Sequence, residues 1–189
     1  MYYTIEIDSN SYCKFIKINN YDDFDESIVK QAVSIILDVL KRENIFVMFH
    51  RENSFLEQNK IENYQKIFFA NLKKDYLKKI NVSKDGKIYF YIGMIDKQSE
   101  TKTAISNGLL SYEAIAFFAS EMLWEDFIVL SQKNKKVDNL NEFYREGRIK
   151  TIIYKEYDGQ ALQIYSKELE CIENILNLLN ITKNNIKVF

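Results

Sequence analysis

The sequence contains no proline, where average usage of about 5% would place roughly nine. Glycine is scarce too, with five in 189 residues. This double shortage, beside abundant Lys, Asn and Ile, matches an AT-rich coding sequence of a low-GC bacterium, because proline and glycine codons are GC-rich. It excludes any long Gly-rich phosphate loop. It also means that the turns are built on Asn and Asp, whose side chains bond their own backbone.

Cysteine occurs only at Cys13 and Cys171, far apart and outside any CxxC spacing. A secreted disulfide scaffold needs more cysteines, and a metal site needs clustered ligands. Both thiols read as small apolar packing groups. Histidine occurs once, at His50, so a histidine metal centre has no second histidine to use.

No run of about 20 uncharged apolar residues is present. The nearest, residues 112–130, is interrupted by Glu113, Glu121, Glu125 and Asp126. The start MYYTIEIDSNSYCKF is acidic and alternating where a signal peptide is basic and then apolar. These features predict a cytoplasmic protein with no membrane partner. Neither sign of charge dominates, since 26 Lys and Arg face 27 Asp and Glu. A net charge of −1 argues against a dedicated nucleic-acid binder, which carries a basic excess.

What is present is a packed-core composition: 47% of residues are hydrophobic, including thirteen Tyr and thirteen Phe, which excludes a disordered chain. Residues 1–7 and 12–18 alternate polar with apolar and read as two half-buried strands around a DSNS turn. Ser27, Gln31, Ser34, Asp38 and Lys41 then recur at helical spacing as one solvent face, with Asp25 as N-cap. Residues 45–50 and 87–95 read as buried strands. Ile61, Tyr64, Phe68, Leu72 and Tyr76 step by three or four, which predicts a helix. Lysines 73, 74, 78 and 79 would crowd its last turns, where the macrodipole favours them.

Residues 96–108 are polar and read as a loop. Ser111 is expected to cap a helix through Ala114, Phe118 and Leu123, and residues 124–130 fit either helix or strand. KTIIYKEY and QALQIY flank Asp158-Gly159, a strong hairpin signal because both residues tolerate positive φ. That register places Ile153 opposite Ile164. Ser166 is expected to cap a last helix with Leu169, Ile172, Leu176 and Leu179 inward, and the ending NNIKVF to pair at a sheet edge. With no repeat, linker or composition break, residues 1–189 read as a single α+β domain. Its expected architecture is a mixed or mainly antiparallel sheet of five to seven strands with three or four packed helices.

Chemistry-bearing patterns are few. His50 ends a predicted strand beside Arg51 and Glu52, which makes it the one candidate base; a base also needs a positioned nucleophile. Asp96, Glu100 and Lys102 faintly match a metal-dependent nuclease set, but in a loop. The acids Asp22, Asp23, Asp25 and Glu26 lack the alternating oxygens, central Gly and terminal Glu of a calcium loop. One of them is explained by capping. The rest, with Tyr21 and Phe24 between them, form an aromatic and acidic patch of interface composition.

The segment IIYKEYDGQALQIYSKELECIENI, with DESIVKQAVSIILDVLKRENIFVMF upstream, resembles an uncharacterised family of small low-GC bacterial proteins. Members have an N-terminal hairpin, a long helix leading into an apolar strand, and a Tyr-Asp-Asp-Arg-Gly hairpin followed by a charged helix. Here the hairpin reads Tyr157-Asp158-Gly159, without the second Asp or the Arg, and the family's Trp-containing tail is absent. The resemblance implies fold more than activity.

The function expected from this set is a cytosolic protein-binding protein, in first place an immunity protein neutralising a toxin with a basic surface. Tyr21, Asp22, Asp23, Phe24 and Glu26 are its expected partner-binding residues. No catalytic residue, cofactor or metal is implied. The alternatives are an enzyme with a non-motif site near His50, or a phage-type or regulatory accessory factor. The hairpin reading is checked by Gly159→Val, which should lower the chemical-denaturation midpoint by roughly 1 kcal/mol or more of stability.

Overall fold

The computed structural model describes residues 3–9, 14–20, 26–40, 43–52, 72–79, 88–95, 101–111, 114–133, 140–155, 161–178 and 186–188. The strands are β1 (Tyr3–Ser9), β2 (Lys14–Asn20), β3 (Asn44–Glu52), β4 (Leu72–Lys79), β5 (Ile88–Ile95), β6 (Ile115–Ala119), β7 (Ile149–Lys155), β8 (Ala161–Ser166) and β9 (Ile186–Val188). The helices are α1 (Glu26–Val39), α2 (Thr101–Ser111), α3 (Trp124–Lys133), α4 (Asn141–Arg145) and α5 (Leu169–Leu178). All nine described strands form one sheet in the order β4-β5-β3-β6-β7-β8-β2-β1-β9. Every pairing is antiparallel except that of β1 with β9. The chain is therefore α+β with a mainly antiparallel sheet. Its nine strands exceed the five to seven expected, and its five described helices include one of only five residues.

The middle of the sheet is apolar on both faces. All five residues of β6 are buried, as are Ile45 to Met48 of β3. Successive side chains in a strand leave on opposite faces, so such strands need cover on each side. On one face Ile45, Val47, Ala116, Phe118, Ile153 and Ile164 pack with α1, α2 and α5. On the other, Phe46, Met48, Ile115, Phe117 and Ile152 pack with α3 and α4. Phe46 stacks on Phe127 at 4.3 Å between centroids, and Phe117 meets Phe127 edge-on at 5.2 Å. Phe143 of α4 completes the group, 4.6 Å from Phe117. Each aromatic pair adds about 0.5–1.5 kcal/mol beyond simple burial.

Both hairpins appear in the structure. Ile5 pairs with Ile18 and Ile7 with Ile16 in the first, and Ile153 faces Ile164 in the second. The turns themselves, including Asp158-Gly159, lie outside the described residues. In α1, Ser27, Gln31 and Asp38 are exposed while Val29, Ala32, Val33 and Ile36 are fully buried, as the helical spacing predicts. Asp25, Lys41 and Arg42 are outside the described residues. β9 pairs at a sheet edge beside β1.

Three expectations are corrected and one open alternative is resolved. Residues 72–79 form strand β4 and not the end of a helix; residues 53–71 lie outside the described part. β4 is an edge among the described strands, with a register shift between Leu72 and Lys74. Residues 101–108 belong to helix α2 and not to a loop. Tertiary packing overrides poor propensity there, because Ile105 and Leu109 bury against the first core and Ala104 is fully buried. Residues 115–119 are the central strand β6 and not a helix. Residues 124–133 are helical, with Glu125 and Asp126 at the N-terminal end and Lys133 at the C-terminal end, as the macrodipole favours.

No helix among the described residues is long and apolar enough to cross a membrane. Phe117→Ala should cost about 3–5 kcal/mol, because the fully buried ring leaves a cavity between β6 and two helices. Urea denaturation checks this, and a loss under about 1 kcal/mol would mean that the aromatic core repacks freely.

Candidate functional site

β6 and β8 are both antiparallel to β7, so they run parallel and their C-terminal ends share one end of the sheet. Those ends are about 10 Å apart, at the usual strand spacing. Three loops meet there: residues 120–123 after β6, 146–148 before β7, and 167–168 after β8.

The first loop is tightly held. Ser120 N donates to the Arg148 carbonyl at 2.7 Å, and Asn44 Nδ2 donates to the Met122 carbonyl at 2.9 Å. Glu121 takes φ 55°, the left-handed region that non-glycine residues avoid at a cost of about 1–2 kcal/mol. This reversal turns Met122 into the aromatic core, fully buried, and leaves Leu123 outside with 64% exposure. Phe127 N donates to the Leu123 carbonyl at 3.1 Å, so Leu123 stands on the first turn of α3.

Arg148 ties the second loop to the first. Its Nη1 donates to Asp126 Oδ2 at 2.6 Å, and its Nε donates to Glu146 Oε1 at 3.0 Å. Both pairs are partly exposed, so they fix geometry more than they add stability. The hydrogen bond from Arg148 holds the Glu146 carboxyl below its ordinary pKa, against the opposing effect of burial. Lys167 ties in the third loop, its Nζ donating to the Glu146 carbonyl at 2.6 Å and its N–H to the Lys150 carbonyl at 2.9 Å. Ser166 Oγ accepts the Glu168 N–H at 3.1 Å and turns the chain into α5. Leu169, the first residue of α5, is 50% exposed and does not face inward as its spacing predicts. Cys171, Ile172 and Ile175 are the residues of α5 that enter the core.

The arrangement is two exposed leucines on rigid, interlocked loops. Each is bracketed by acids in sequence, Leu123 by Glu121 and Glu125, and Leu169 by Glu168 and Glu170. The two leucines head helices that cover opposite faces of the sheet, so each is a separate exposed apolar side chain flanked by acids.

The residues singled out in the sequence fall elsewhere. Tyr21, Asp22, Asp23 and Phe24 lie outside the described residues, and Glu26 is the first residue of α1. The described neighbour Asn20 ends β2 beside the start of β8, so it lies at the opposite end of the sheet from the loop cluster. His50 is placed on β3, paired with Phe90 of β5. Cys13, Asp96 and Glu100 lie outside the described residues, and Lys102 is exposed on α2. Cys171 is fully buried, and desolvation pushes its thiol up to about 11, so it stays protonated at neutral pH and is a packing group. Among the described residues, no three of His, Cys, Asp and Glu gather as a metal-binding group. Sequence reasoning missed Leu123 and Leu169 because both fit the apolar face of a helix. The acids bracketing each were the available signal.

Because Glu146 has a depressed pKa when folded, it stabilises the fold above its ordinary value of 4.5, and that contribution is lost as the pH falls below it. Glu146→Gln should therefore lower the denaturation midpoint at neutral pH, with the difference from the native chain shrinking towards about pH 3. A difference independent of pH would show that the Arg148 contact is not made in solution. Neither a scan against protein-family models nor searches of curated proteins and of solved structures finds a match to the chain.

Proposed function

We propose that the chain is a protein-binding protein of the bacterial cytoplasm, an immunity protein that neutralises a partner toxin. The observation that carries this reading is the pair of leucines, 64% and 50% exposed, on loops locked together by Arg148 and Lys167. Single exposed leucines are ordinary on protein surfaces. Two of them at one end of a sheet, on pinned backbone, are two preorganised contacts, one heading the helix on each face. Fully covering a leucine contributes about 1.5–3 kcal/mol, enough for the pair to anchor an interface. The bracketing acids favour a partner of basic surface and speed its approach. The patch Tyr21, Asp22, Asp23, Phe24 and Glu26 extends this reading as a separate acidic contact.

Co-purification from the native host followed by mass spectrometry should identify a partner whose expression alone arrests growth. Co-expression with this chain should restore growth. The double variant Leu123→Asp, Leu169→Asp should keep the denaturation midpoint, since both sites are at the surface, yet weaken the partner's affinity at least about tenfold. Reversing charge at Asp22 and Asp23 should slow association at low salt with the fold intact. A partner that is harmless alone, or that binds the leucine variant as tightly as the native chain, overturns the proposal.

A further inference from the structure

A groove of about 480 Å³ runs between α1 and α5 on the outer side of the first core. Helix α1 contributes Ile35, Asp38 and Val39, and α5 contributes Glu170, Asn174, Asn177 and Leu178. The volume falls in the range of ligand-binding clefts. Its lining mixes apolar side chains with two acids and two amides, and holds no cation among the described residues.

Asp38 lies in the last turn of α1. The C-terminal end of a helix carries partial negative charge, so a carboxylate there opposes the helix that bears it. Neither α1 nor α5 has a basic residue in its last turn to offset this. Asp38 is thus not favoured by the helix end that bears it, whereas Glu170, in the first turn of α5, is favoured by its own helix. The groove's lining begins next in sequence to the loop cluster. Leu169 and Glu170 are neighbours, and α1 carries the chain from the far end of the sheet back to Asn44, the residue that hydrogen-bonds Met122.

We propose that this groove seats a basic segment of the protein partner, with an arginine or lysine head between Asp38 and Glu170 and its aliphatic stem along Ile35, Val39 and Leu178. Long basic side chains combine these two characters, a charged tip on an apolar stem. Asn174 and Asn177 supply amide donors and acceptors for the segment's backbone. The inference names the partner chemistry of the surface proposed above and rests on that reading, but its test needs no partner.

The probe is a fluorescein-labelled nonapeptide of alternating arginine and alanine, titrated into the full chain and followed by fluorescence anisotropy at low salt. The peptide should bind, and Asp38→Lys should weaken it at least about tenfold. Glu142→Lys makes the same change in net charge on α4, across the sheet, and should alter binding less than about twofold. Asn174→Trp fills the groove without changing charge and should also abolish binding. Asp38→Lys should melt no lower than the native chain, because a lysine suits a helix C-terminus.

Equal weakening by Asp38→Lys and Glu142→Lys would mean diffuse attraction and would overturn the inference. So would binding that appears only after Lys41→Gln with Arg42→Gln, since the chain's own cations would then fill the groove. Absence of peptide binding in every variant overturns the groove alone. The leucine surface fails separately, through the partner assay.

Discussion

Phe117 and Phe118 are neighbours in β6, so they leave the sheet on opposite faces, and both are fully buried. That pair sets the architecture. A strand with a large ring on each face cannot lie at an edge or over solvent; it requires helices above and below. Phe118 is covered with the help of α1, α2 and α5, while Phe117 is covered by Phe127 of α3 and Phe143 of α4. The requirement also explains α2, whose Ser, Thr, Asn and Gly would form a poor helix alone. It is helical because Ile105 and Leu109 close the first core. The short α4 is likewise held by Phe143 and by nothing intrinsic to five residues.

Where local pattern and tertiary need agree, the fold was legible. β1 and β2 alternate, their register follows from Ile5, Ile7, Ile16 and Ile18, and the pairing of Ile153 with Ile164 follows from the Asp158-Gly159 signal. The solvent face of α1 could be read residue by residue. Legibility failed where an apolar run was short. Residues 115–119 carry no polar residue to reveal a period, so a five-residue strand buried on both faces looks like a helix turn. In residues 72–79 Leu72 and Tyr76 fit a helical step, yet the segment pairs with β5 from Leu72 to Lys79. The lysines counted there as helix-end charges are edge-strand residues instead.

The loop cluster was hidden for a different reason. Its parts lie on three separate stretches of chain, joined by contacts such as Arg148 with Asp126 that no local pattern encodes. Arg148 and Lys167 look like ordinary surface cations in the sequence. Only the parallel course of β6 and β8 on either side of β7 brings their loops together. Leu123 and Leu169 were misread as core because hydrophobicity alone does not say which end of an apolar stretch is buried.

Local rules are broken at several points that gather at one end of the molecule. Glu121 occupies a backbone region that suits glycine, Leu123 and Leu169 expose apolar surface, and Asp38 sits against the negative end of its helix. In α3 the acids come first and a lysine last, although Val129 is 52% exposed, and the two cores segregate by face. Each exception costs stability, and none is needed to close a core. Met122 could reach the aromatic pocket from a glycine-bearing turn, and α1 would be stronger with a lysine at position 38. Sequences that fold well are consistent at every level except where function demands otherwise. Their convergence near where β6 and β8 end is what the proposed contact surface rests on.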